Sequence, residues 1–212
     1  MQKIYLLSGL GADQRVFNKL SLRGVLIHIQ WITPNPSETF AAYCKRLVQV
    51  NNIEENQIVI GLSMGGIIAI EISKIIPLKQ VIIISSVKNR TEMPLLFRLA
   101  SHLRLYKLLP YFLLRKPSFL LRFAFSPLSK DDYSLLKKIV ADTDTAFLKW
   151  AIEQIALWPS TTHTHNLTHL HGTADKIFLK RNLKDYIPVK DGGHFMVYNR
   201  AEEISLILNK LL

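Results

Sequence analysis

Apolar residues fall in short runs along this chain, and the runs alternate with stretches of helical spacing. Residues 3–8 (KIYLLS), 25–32 (VLIHIQWI), 58–60 (IVI), 81–87 (VIIISSV), 167–171 (LTHLH) and 186–190 (YIPVK) are brief, bounded by breakers, and read as strands. The run at 25–32 is nearly apolar on both faces, as a buried parallel strand would be. Helical spacing fills the gaps between the first four. Asp13 can cap a short helix through Val16, Phe17 and Leu20, and Ser37 a helix over roughly 38–50. A third helix carries Ile67, Ile68, Ile70, Ile72 and Ile75 and ends near Pro77. Such alternation predicts an α/β fold: a parallel sheet of six strands covered by helices on both faces.

The rhythm stops at residue 88. From Lys88 to about Pro159 only helical runs occur, punctuated by Pro94, Pro110, Pro117 and Pro127. The alternation then resumes and closes on an amphipathic helix over roughly 199–211. Residues 1–87 and 160–212 therefore read as one α/β core, with residues 88–159 as an inserted helical unit. No internal repeat or low-complexity tract interrupts this plan.

Composition narrows the class without changing the outline. A chain of 212 residues, 49% apolar and 20% charged, can bury a sizeable core as one domain with an insertion. Its net charge of +11 invites a nucleic-acid reading. No zinc-ligand spacing, RNA-binding aromatic motif or basic heptad repeat supports one. The charge speaks instead of surface, solubility and attraction to anions. The single cysteine, Cys44, falls in the helix over 38–50 and reads as a core residue. It excludes an internal disulfide and fits a reducing, cytoplasmic setting. No apolar run is long enough to span a bilayer. The run from Ile4 to Leu7 is too short for a signal peptide and passes straight into Gly9 and Gly11.

Candidate chemistry begins at Gly61-Leu62-Ser63-Met64-Gly65-Gly66, where the third strand meets its helix. A Gly-x-Ser-x-Gly turn in that context holds a serine hydroxyl out at the strand's C-terminal end, with helix N–H groups behind it. Serine is a poor nucleophile until a base takes its proton and a third group holds that base. Asp191-Gly192-Gly193-His194-Phe195, after the last strand, can present one imidazole. His171-Gly172-Thr173-Ala174-Asp175 places a carboxylate just beyond the preceding strand.

The motifs GLSMGG, HGTAD and GGHF, in this order and each after a strand, resemble the α/β-hydrolase superfamily, and the likeness covers nearly the whole chain. It implies Ser63 as nucleophile, His194 as general base and then acid, and Asp175 as the orienting carboxylate. It also implies an oxyanion hole from the backbone N–H groups of Leu10 and Met64, a helical cap over residues 88–159, and no cofactor or metal. The expected activity is hydrolysis of a carboxylic ester with an apolar, small-molecule acyl substrate. Thioester, lactone, amide and carbon–carbon cleavage stay open on the same triad, as does a non-catalytic ligand- or lipid-binding descendant. Two features depart from the superfamily pattern. The N-terminal strand pair usual there is missing, and only 19 positions separate Asp175 from His194. The second departure leaves Asp191 open as the alternative acid.

Other polar residues read more plainly. Asp13 is expected to cap a helix, and Glu71 to be a structural partner rather than a proton donor. His163, His165, His169 and His171 have His-x-His spacing, but no carboxylate or cysteine completes a metal set. Between Lys88 and Lys130 nine basic residues face one acid, Glu92, and interleave with many leucines and phenylalanines. The favoured reading is an amphipathic roof with a solvated basic face. The sharper one is a greasy pocket under a roof that attracts anionic substrates or membrane surfaces.

Overall fold

The computed structural model describes residues 2–108, 119–159 and 166–212. Six strands form one sheet: β1 (Lys3–Leu7), β2 (Val25–His28), β3 (Ile58–Leu62), β4 (Gln80–Ile84), β5 (Leu167–Gly172) and β6 (Ile187–Val189). Their order is β2-β1-β3-β4-β5-β6, and every neighbouring pair is parallel. The predicted six-stranded α/β sheet is therefore present.

Alternation along each strand divides the core in two. Tyr5, Leu7, Val59, Val81 and Ile83 enter one apolar cluster, with Tyr43, Leu47, Ile67 and Ala69. Ile4, Leu6, Ile58, Ile60, Ile82 and Ile84 enter the other, with Phe17, Ile204 and Leu208. The first set of partners lies on α1 (Phe40–Val50) and α2 (Met64–Ile72). Ile204 and Leu208 lie on the last helix, Ala201–Leu211, which follows the single turn Met196–Asn199. With both faces covered, β1, β3 and β4 can be apolar throughout. Cys44 lies buried in α1 among these residues, as expected.

Two local expectations fail. β2 is not buried on both faces: it is an edge strand, and Val25 is 43% exposed. Apolar composition alone cannot tell an edge from a centre. The cap of α1 is Thr39, whose hydroxyl accepts the Ala42 N–H, and not Ser37, which turns with φ 58° before it.

Between β4 and β5 the described chain is helical. It comprises a turn at Arg90–Glu92, α3 (Leu95–His102), a turn at Leu105–Leu108, α4 (Phe119–Phe125), α5 (Lys130–Asp142) and α6 (Thr145–Leu157). Pro110, Pro117, Arg115 and Lys116 lie outside the described residues. α5 places Leu136, Ile139 and Val140 in one apolar cluster of the sheet, and α6 places Phe147 and Ala151 in the other. α3 behaves differently. Ser101 faces inward, donating to the Ala156 carbonyl and accepting from Arg90 Nη2. Leu95, Leu99 and Leu103, one row at i, i+4 and i+8, point outward and are at least half exposed. The outer surface is thus apolar as well as basic, because the inward row is taken by the small residues Ala100 and Ser101.

The backbone approaches very closely at the start of α2. A Cβ on Gly65 would sit 2.3 Å from the carbonyl oxygens of both Leu7 and Ser8, which are fixed in and beyond β1. Alanine in place of a helical glycine ordinarily stabilises by about 0.5–1 kcal/mol. At Gly65 the sign should reverse: G65A is expected to lower the urea midpoint, or to prevent folding altogether.

Candidate active site

β3 delivers the chain to Ser63 and α2 carries it away, so the serine stands where strand turns into helix. Its backbone is at φ 53°, ψ −118°, a region that costs a non-glycine residue roughly 1–3 kcal/mol. The surroundings hold it there. Ser63 N–H donates to the Ile84 carbonyl at 2.9 Å, and the Ser86 hydroxyl donates to the Ser63 carbonyl at 2.7 Å. A Cβ on Gly61 would lie 2.2 Å from the Gly65 carbonyl oxygen, so only glycine lets the turn close this tightly.

His194 arrives on the loop after β6. Its Nε2 lies 3.0 Å from Ser63 Oγ and its Nδ1 2.8 Å from Asp175 Oδ2. A carboxylate only accepts, so Nδ1 carries the proton and Nε2 is left to accept from the serine hydroxyl. Asp175 follows β5, and its other oxygen, Oδ1, accepts the N–H groups of Ile177 at 2.8 Å and Phe178 at 3.0 Å. Both oxygens are thus committed and the carboxylate cannot swing away. Burial pushes the Asp175 carboxyl upward, but the imidazole beside it, with His171 and the Phe178 amide, outweighs burial and holds it below the usual range. Of the two candidate carboxylates, the one in contact with the His194 ring is Asp175. Asp191 is exposed, and only its backbone N–H is engaged, by Thr173 Oγ1 at 2.8 Å.

The loop after β1 closes the other side. A Cβ on Gly9 would lie 3.3 Å from the Ser63 Cβ, so Gly9-Leu10-Gly11 packs directly against the serine. Met64 is the first residue of α2, where an N–H has no partner one turn back. Leu10, Met64, Ser63 and His194 all border one cavity of about 410 Å³. Its remaining wall comes mainly from the segment between β4 and β5, including Met93, Phe97, Leu121, Val140, Leu148 and Ile155. Between Asp175 and His194 the chain makes only a short helical turn, at Lys180–Asn182.

Three contributors were not read from the sequence. Phe125 of α4 meets the His194 ring edge-on, with centroids 5.2 Å apart and planes at 89°. Phe178 packs on the same ring at 5.8 Å. His171 donates from Nε2 to the Phe178 carbonyl at 2.8 Å and lies 3.8 Å from Asp175 Oδ2. No signal marked either phenylalanine among so many. His171 was visible only as the first residue of its motif.

Asp13 and Glu71 fall where expected. Asp13 accepts the Arg15 N–H at the first turn after β1. Glu71 accepts from Trp158 Nε1 at 2.7 Å and from Lys74. His163 and His165 lie outside the described residues. His169 and His171 share one face of β5, with ring centroids 5.3 Å apart. Among the described residues no group of three or more His, Cys, Asp or Glu side chains gathers as a metal site would require.

No family model matches this sequence, and no curated protein does. Solved structures do resemble it. A thermophilic esterase from Thermogutta terrifontis, with malate bound, superposes with a TM-score of 0.71 at 13% identity, covering 100% of this chain and 89% of the other. A lipase-esterase related protein from Clostridium acetobutylicum gives 0.71 at 14%, covering 100% and 94%. An alpha/beta hydrolase fold protein from Burkholderia ambifaria gives 0.68 at 15%, covering 99% and 90%. The chain has the α/β-hydrolase fold. At such identity the likeness speaks for the fold and leaves the chemistry to the site.

Behind the carboxylate, this α/β-hydrolase fold buries His169, and burial lowers its imidazole to about 3, with His171 and Lys88 adding to the effect. The unfolded chain takes up a proton below the ordinary value of 6.5, whereas the folded chain does not until about 3. Stability should therefore fall between those values by about 1.4 kcal/mol per pH unit from this group. Asp175 acts at the acid end of the range, since its stabilisation is lost only as pH falls through its lowered value. Urea unfolding of His169→Phe against pH should show a slope shallower by one proton.

Proposed function

We propose that the protein is a serine hydrolase acting on carboxylic esters with an apolar acyl group. The observation that carries this reading is the hydrogen-bonded line from Ser63 Oγ through the His194 ring to Asp175, at 3.0 Å and 2.8 Å, on the wall of an apolar cavity. Such a line can move a proton without moving a side chain. His194 Nε2 takes the hydroxyl proton as Ser63 attacks the acyl carbonyl, and Asp175 stabilises the imidazolium that forms. The proton then passes to the departing alcohol, and His194 activates a water that releases the acid from Ser63.

In the tetrahedral intermediates the carbonyl oxygen becomes an anion. The N–H groups of Leu10 and Met64 are the donors proposed for it, and the N-terminus of α2 adds a favourable field. The helical segment 88–159 is proposed as the cap: it supplies most of the cavity wall, and through Phe125 it also touches the base. No proton-transfer step needs a cofactor or metal. The neighbours in structure include proteins described as esterases and as a lipase-esterase related protein, which agrees with this chemistry.

Ser63→Ala should abolish hydrolysis of short activated esters and labelling by a fluorophosphonate while leaving the circular dichroism spectrum unchanged. Retained turnover in that variant would refute the assignment. Asp175→Asn removes the carboxylate that sets the tautomer, and kcat should fall by about 10³–10⁴-fold.

A further inference from the structure

The outward surface of the segment between β4 and β5 is unlike the rest of the molecule. Leu108 is 79% exposed and Phe119 81%, and the row Leu95–Leu99–Leu103 along α3 is at least half exposed throughout. Solvent-facing apolar side chains at this density mark a contact surface. Cations are interspersed among them: Arg98 and Arg104 follow the α3 row, Lys107 precedes Leu108, and Arg122 lies on α4. All four are exposed, and no carboxylate among the described residues pairs with them. For Arg98, Arg104 and Lys107 the nearest acid in sequence, Glu92, is buried and bound to Lys88.

We propose that this surface docks on anionic phospholipid bilayers. Exposed leucine and phenylalanine interspersed with exposed arginine and lysine suit the headgroup boundary, where the apolar side chains enter the acyl region and the cations meet phosphate. A second copy of this chain fits poorly, because each copy carries a net charge of +11 and the facing patches would repel. The surface also leads inward. Phe97 and Leu105 are exposed on it and at the same time line the cavity that contains Ser63. An acyl chain leaving the bilayer at this point would pass along apolar contacts to the serine without crossing water. The docking itself stands apart from the hydrolase reading; only the delivery of substrate rests on it.

Docking is tested on the Ser63→Ala protein, so that lipid turnover plays no part and a failure of the hydrolase reading leaves the result intact. Co-sedimentation is measured with phosphatidylcholine vesicles, with and without phosphatidylglycerol. Binding is expected only where phosphatidylglycerol is present. Raising salt from about 0.1 M to about 1 M should release the protein, since the screening length drops from about 10 Å to about 3 Å. Each cation near such a surface changes partitioning about fivefold, so R98Q/R104Q/K107Q should weaken it on the order of 100-fold. L99S/L103S/L108S should weaken it as well, with thermal melts showing that both triple variants fold. Equal, negligible binding to both vesicle types would overturn the proposal, as would binding that the glutamine variant leaves intact. Capture by a soluble acidic protein while vesicles stay unbound would overturn it in favour of a protein partner.

Discussion

The structure depends on one constraint: a serine must be held in a backbone conformation that serine avoids. Ser63 cannot adopt φ 53° unless its neighbours make the relaxed alternatives worse. They do so from three directions. Gly61 and Gly65 allow strand and helix to meet at a distance no side chain would permit, and β4 ties down the Ser63 amide. Gly9, in the loop after β1, leaves room beside the Ser63 Cβ that a larger side chain would crowd. Each restraint belongs to a different stretch of chain. The turn is therefore stable only when β1, β3 and β4 are already side by side, and the energy that holds it comes from the two apolar clusters rather than from the turn itself.

The polar line through His194 depends on that rigidity in its turn. A hydrogen bond of about 3 Å to a serine hydroxyl has value only if neither end wanders. Ser63 is held by hydrogen bonds of its amide to β4 and of its carbonyl with Ser86, Asp175 by two backbone amides, and the His194 ring by contacts with two phenylalanines. Asp175 and His194 are buried in apolar surroundings, where a hydrogen bond is stronger than in water. The geometry comes from places far apart in sequence, because α/β crossovers gather the C-terminal ends of neighbouring strands at one edge of the sheet.

How far this was legible from the sequence follows from which interactions are local. Strand and helix identities rest on periodicity within a few residues, and all six strands were recognisable. Ser63, Asp175 and His194 stand beside glycines that only tight turns require, so they too could be found. What stayed hidden depends on distant partners. The edge position of β2 depends on what pairs with it, which its own residues do not encode. Phe125 and Phe178 became ring supports only through the packing of α4 and of the turn after Asp175. The choice between Asp175 and Asp191 turned on direction: both sit near His194, and only one faces it. The outward leucine row of α3 was invisible for a similar reason, since an apolar stripe does not state which of its sides is covered.

α5 and α6 send side chains into both apolar clusters of the sheet, whereas α3 contributes its residues mainly to the cavity wall. The segment between β4 and β5 therefore has two mechanical classes of helix. α5 and α6 are girders, and exchanging them for those of a relative would unseat the sheet. α3 is cladding. Divergence in what this scaffold accepts can proceed by recladding at little cost to foldability, and that is also the part an engineer could replace first.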